Sequence, residues 1–146
     1  MDRKDQQIKA AIGRLSSDEA TAFSQIFERM MDAAFTYPLW GAAYVVNGGC
    51  GDDSFMDFRA SLISRGQVAF DKAVLDPDSL ADEDIDIDSW FHEGFQYAIM
   101  DGVEAKTGSR LRRVSPPPST PAGQKWAEAT VRDLYPRLVR RLELHR

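Results

Sequence analysis

The chain has a single cysteine, Cys50, among its 146 residues. That excludes an internal disulfide and a cysteine-built zinc cage. Histidine is almost as scarce: His92 and His145 are the two present, so a thiol nucleophile at Cys50 has few bases to activate it. A small buried hydrophobe is the better reading of Cys50. Long apolar runs are missing as well. The mainly apolar stretch 37–46 covers ten residues, half of the roughly 20 that a membrane-spanning helix needs. The first residues lack the apolar centre of a secretory signal, and the expectation is a cytoplasmic protein with no membrane contact. No GxxxxGK, GxGxxG or GxSxG run occurs, which removes the common phosphate-cradling, dinucleotide and nucleophile-elbow motifs. No metal or cofactor is expected.

What is present is ordinary globular composition. Hydrophobic residues make up 43% and charged residues 28%, which argues against a disordered chain. A chain of this length buries about 70% of its unfolded surface as one domain, so residues 1–146 are read as a single unit. The net charge of −5 is unevenly spread. Residues 1–70 hold seven bases and nine acids, residues 71–104 hold Lys72 against eleven acids, and residues 105–146 hold ten bases and three acids. Blocks of this kind mean either that the basic tail folds back on the acidic segment or that an external partner is bound. Nucleic acid is a poor partner for a chain with a pI near 5.0 and no reading motif. That alternative rests on Arg110, Arg112, Arg113, Arg137, Arg140 and Arg141 alone.

Hydrophobic spacing is helical nearly throughout. Residues 2–15 read as a first helix. Ser16 and Glu19 form a capping box for a second helix running to about Phe35. Pro38 suits the first turn of a third, residues 39–46, which is apolar all round and closed by Asn47-Gly48. Asp52 or Asp53 is expected to cap a fourth helix, residues 54–65, and Gly66 ends it. Residues 67–75 form a fifth. A sixth, capped by Asp88 or Ser89, spans residues 90–106. Residues 108–123 form a proline-rich loop, and residues 124–146 a basic helical segment in which Pro136 should kink or split the helix. The fold class is therefore an all-α single domain of six or seven helices, with Trp40, Tyr44, Phe55, Phe58, Trp90, Phe95 and Tyr97 expected in the core.

The segment richest in chemistry is Gly48-Gly49-Cys50-Gly51-Asp52-Asp53. On the following helix Arg59 falls within the apolar arc of Phe55, Phe58 and Leu62. A buried guanidinium needs a partner. Asp101, in the apolar arc of the sixth helix, is the expected one, with Asp52 and Asp53 as local alternatives. Cys50, Asp101 and Glu104 are accordingly read as pocket or brace residues around Asp52, Asp53 and Arg59. Two other patterns carry less. The acids from Asp82 to Asp88 resemble a calcium loop, but Ile87 stands where its sharp turn needs glycine. His92-Glu93-Gly94-Phe95-Gln96 begins like a zinc-protease helix, yet Gln96 replaces the second histidine.

The ordered string Leu39-Trp40, Ala42-Ala43-Tyr44-Val45-Val46, Gly48-Gly49-Cys50, Asp52-Asp53, Phe55, Phe58-Arg59, Leu62-Ile63 and Gly66 resembles the bacterial family called domain of unknown function 4240. Asp76-Pro77-Asp78-Ser79-Leu80-Ala81 and Glu104-Ala105-Lys106-Thr107-Gly108 extend the likeness over roughly residues 15–110. Ser61 departs from the usual tryptophan, and Gly51 and Ser54 stand in place of a serine and a glycine. The resemblance implies a bacterial intracellular protein and no assigned activity. The leading expectation is a non-catalytic protein-binding or regulatory domain whose partner is another protein. The alternative is a small enzyme with a polar pocket at Asp52, Asp53 and Arg59, dependent on a divalent cation.

Overall fold

A computed structural model describes residues 2–84, 86–110 and 113–144. Arg112 and His145, both named above, lie outside the described residues. The helices run in the order α1 (Arg3–Gly13), α2 (Ser17–Ala33), α3 (Tyr37–Asn47), α4 (Asp52–Ile63), α5 (Gln67–Leu75), η1 (Pro77–Asp82), α6 (Ile87–Trp90), α7 (Gly94–Thr107), η2 (Val131–Leu134) and α8 (Pro136–Leu144), where η marks a 3-10 helix. The class is all-α, as the spacing predicts, with more and shorter helices than the six or seven expected. Among the described residues, no helix is long and apolar enough to cross a membrane.

Local chemistry sets most boundaries. The Ser16 Oγ accepts from the Glu19 amide at 3.1 Å and the Ser16 amide donates to Glu19 Oε1 at 2.9 Å, a reciprocal capping box. Thr36 caps α3, and Gly48 ends it in the left-handed region at φ 68°, where a side chain would be strained. At α4 the expectation fails: Gly51 is the N-cap and makes no side-chain bond, so Asp52 and Asp53 sit inside the first turn.

Two apolar clusters hold the helices together. The larger one gathers α3, α4, α5, η1, α6, η2 and α8, with Leu39, Phe55, Phe58, Trp90 and Leu138 at 2% exposure or less. The smaller one joins α1, α2 and α7 through Ile12, Ala20, Phe95, Ile99 and Val103. Gly102 lets α1 lie close: a Cβ there would stand 3.2 Å from Ile12 Cδ1.

Three sequence expectations need correction. The sixth helix breaks at Phe91–Glu93, so the phase read from Trp90 does not carry into α7. The buried face of α7 is Phe95, Ala98, Ile99, Gly102 and Val103, and Tyr97, expected in the core, is 50% exposed. Second, residues 124–130 are not helical. Pro136 does divide the segment: the 3-10 helix η2 ends at Leu134, and Pro136 opens α8, where its missing amide costs nothing. Third, Trp40 and Tyr44 are only partly buried.

The basic tail does fold back. Asp78 receives the backbone amides of Arg137 (3.2 Å) and Leu138 (2.9 Å), capping α8 across about 60 residues of chain. Asp82 pairs with both Lys72 and Arg137. Arg110 pairs with Asp101 and Glu104, and Arg113 with Asp32. Upstream of α8, the Trp126 indole donates to the Tyr37 carbonyl at 2.7 Å and the Tyr135 hydroxyl to the Pro38 carbonyl at 2.5 Å. Ala122 exchanges backbone bonds with Phe35 and Tyr37. This clamp closes over Gly41, whose added Cβ would meet the Tyr135 hydroxyl and lie 2.8 Å from Trp126 Nε1. Gly41→Ala is therefore expected to lower the unfolding free energy by about 2 kcal/mol, the size of an overpacking penalty. Urea denaturation measures it, and a change below about 0.5 kcal/mol would show that the two rings yield freely.

Candidate functional site

Arg59 is the centre of the expected site, and the structure places it where the sequence predicts, buried at 8% exposure. Its partners are different. The guanidinium lies between the rings of Phe35 and Phe55, 4.8 Å from each centroid. Nη1 donates to the Met31 carbonyl at 2.8 Å and Nε to the Phe55 carbonyl at 3.4 Å. The Met31 carbonyl is one of the last of α2, and those groups lack intrahelical donors. The cation also sits at the negative end of that helix. Among the described residues, Arg59 makes no ion pair and Nη2 no hydrogen bond. Burial pushes its pKa down to about 10, opposed by the charges of Asp32 and Asp52; it stays charged at neutral pH.

The expected carboxylate partners are elsewhere. Asp101 is exposed, because it lies off the buried face of α7, and together with Glu104 it holds Arg110. Asp52 and Asp53 are exposed on the first turn of α4. There the helix dipole favours their charge. Neither pairs with Arg59. Cys50 is half-buried, and its carbonyl accepts the Trp40 indole N–H at 2.8 Å. Burial pushes its thiol up to about 12, so it is protonated at neutral pH and unsuited to nucleophilic attack. Asp57, one turn on, is held above the usual carboxylate range by burial and then by Glu93 and Asp53.

What Arg59 does border is a cavity of about 370 Å³ between α2, α4 and α7. Phe27, Met31, Met56, Ile99, Met100 and Val103 give it apolar walls. Arg110, Arg113 and Pro117 from the proline-rich segment close one end. The lining holds three arginines against two acids, Glu28 and Asp32, and contains no histidine or cysteine. Asp52 and Asp53 do not reach it. Sequence reasoning found Arg59 but missed the cavity. It is assembled from four separate segments, and a methionine on an amphipathic helix reads the same whether it faces a core or a groove.

A second group also escaped the sequence. Asp2, Asp5 and His92 each place one ligand-type atom within 4.8 Å of the others. Asp5 and His92 are 87 residues apart, and their pairing depends on how α1 crosses the start of α7. Ser61 fixes the histidine's backbone, accepting from the His92 amide at 3.0 Å and donating to its carbonyl at 3.1 Å.

A family model described as "Protein of unknown function (DUF4240)" matches residues 1–104. The chain belongs to this family. No curated protein and no solved structure matches.

Proposed function

We propose that this member of the DUF4240 family is a non-catalytic protein-binding or regulatory domain. Its α2–α4–α7 cavity takes an apolar side chain of a partner protein that carries a carboxylate beside it. One observation carries the reading: a buried guanidinium that makes no ion pair among the described residues borders an open, apolar cavity. Desolvated ion pairs with arginine are strong when bidentate and geometrically fixed, and the two flanking rings fix this one. The volume suits one large side chain. Met31, Met56 and Met100 line it, and methionine adapts its shape to different apolar groups.

The enzyme alternative loses support, because Asp52 and Asp53 lie outside this cavity and Arg59 holds carbonyls instead of acids. The arginine-cluster reading for nucleic acid is weakened in the same way, since Arg110, Arg113 and Arg137 have intramolecular acids.

Selection of random peptides on the full chain tests the proposal. Recovered peptides are expected to combine a large apolar residue with Asp, Glu or a free C-terminus. They are expected to bind at least tenfold more weakly to Met100→Glu, which sets a carboxylate at the 38% exposed rim position. Sequences lacking the acid, or undiminished affinity for Met100→Glu, would sink the idea.

A further inference from the structure

We propose that Asp2, Asp5 and His92 form a binding site for a divalent first-row transition metal ion. Acids at the start of α1 are favoured by the helix dipole alone, so their presence there says nothing about a ligand. The pointer is Asp5 itself. It is 4% exposed. Its Oδ2 lies 2.7 Å from His92 Nε2, while its Oδ1 is buried with no hydrogen-bond partner among the described residues. An ionised carboxylate accepts at both oxygens, and an unpaired one in the interior is costly. A cation bound by the three side chains would take the place of the proton shared by Oδ2 and Nε2 and give the carboxylate the charge that its Oδ1 side lacks.

The surroundings fit an ion. The added Cβ of an alanine at Gly94 would stand 2.5 Å from Asp5 Oδ2 and 2.7 Å from His92 Nε2, so the absence of a side chain there leaves the pair its room. Asp2 and His92 line a cavity of about 580 Å³, which gives an ion access and leaves space for water at the remaining positions. The reciprocal bonds to buried Ser61 hold the backbone of His92 in place, the kind of support that orients a metal ligand. One imidazole nitrogen with two carboxylates suits zinc and its neighbours; magnesium and calcium favour oxygen ligands alone.

Calorimetric titration of the untagged full chain with Zn²⁺, in a Cys50→Ser background, tests the site. Saturable one-to-one binding is expected, with a rise in melting temperature through linkage. Asp5→Asn and His92→Gln are each expected to weaken it at least tenfold, and Mg²⁺ at equal concentration is expected not to compete. Should either variant fail to fold, nitrogen NMR of the His92 ring in the otherwise unchanged chain reads the same contact, with a Zn²⁺-dependent shift of Nε2 expected. Absence of saturable binding, affinity unchanged in both variants, equal competition by Mg²⁺ or an unshifted Nε2 resonance would each overturn the assignment.

Discussion

Phe55→Ala is expected to remove about 4 kcal/mol of folding free energy, the middle of the range for deleting a buried aromatic ring. Phe55 is fully buried. Its ring stacks on Trp40 at 4.8 Å between centroids and touches Phe35 and Phe58 at 6.1 and 6.4 Å. It is also one of the two rings that hold the Arg59 guanidinium. Deleting it opens a cavity that rigid helices on three sides cannot fill, and it exposes one face of a buried cation. Urea denaturation gives the measurement, with the midpoint falling and the slope unchanged. Val68→Ala, at a position 84% exposed, is the control and should stay within about 0.5 kcal/mol. A Phe55→Ala loss below about 2 kcal/mol would mean that the ring cluster collapses around the hole.

The legible parts of this fold are those decided within a few residues. The Ser16–Glu19 box, the Pro38 start and the Gly48 stop are properties of short segments, and each stands where the sequence puts it. The all-round apolar α3 is buried for the same reason, since no face of it favours water. The losses begin where distant segments decide. Nothing in residues 90–93 announces a break, and one missed break rotates Tyr97 and Asp101 from core to surface. Residues 126–130 look helical by spacing, yet Trp126 at their start and Tyr135 after η2 are committed to carbonyls of α3. The pairing of the basic tail with the acidic segment was readable as a tendency from charge alone. That Asp78 would spend both oxygens on the first amides of α8 was not, because the sequence gives no distance between them. In the candidate site the same division holds. Arg59 was legible as a buried cation from its helical phase. Its partners were not, since backbone carbonyls carry no residue-type signature.

That choice of partners decides what substitutions at Arg59 should do. Arg59→Glu is expected to remove about 5 kcal/mol, the upper range for leaving a buried charge uncompensated. The carboxylate would face the Met31 and Phe55 carbonyls, which repel it, and the negative end of α2. Arg59→Met is expected to stay within about 1 kcal/mol of the parent. It loses two carbonyl bonds, a charge-assisted one to Met31 at 2.8 Å and a weak one to Phe55 at 3.4 Å, and two cation–ring contacts worth about 0.5–2 kcal/mol each. It also relieves the cost of burying a charge that makes no direct ion pair among the described residues, and the flexible thioether fills the same slot between the rings. The direction of the Arg59 pKa supports this sign. A base whose folded pKa is depressed binds its proton more weakly when folded, so the folded state is penalised at every pH below that pKa, neutral pH included. Chemical denaturation of both variants at pH 7 gives the two values. The binding measurement separates structure from function: Arg59→Met, folded, is expected to lose at least tenfold in affinity for peptides that join an apolar side chain to a carboxylate. It is expected to keep its affinity for the same peptides with the acid neutralised. If Arg59→Met binds the acidic peptides as well as the parent does, the guanidinium is only a brace between α2 and α4, and the cavity recognises shape alone.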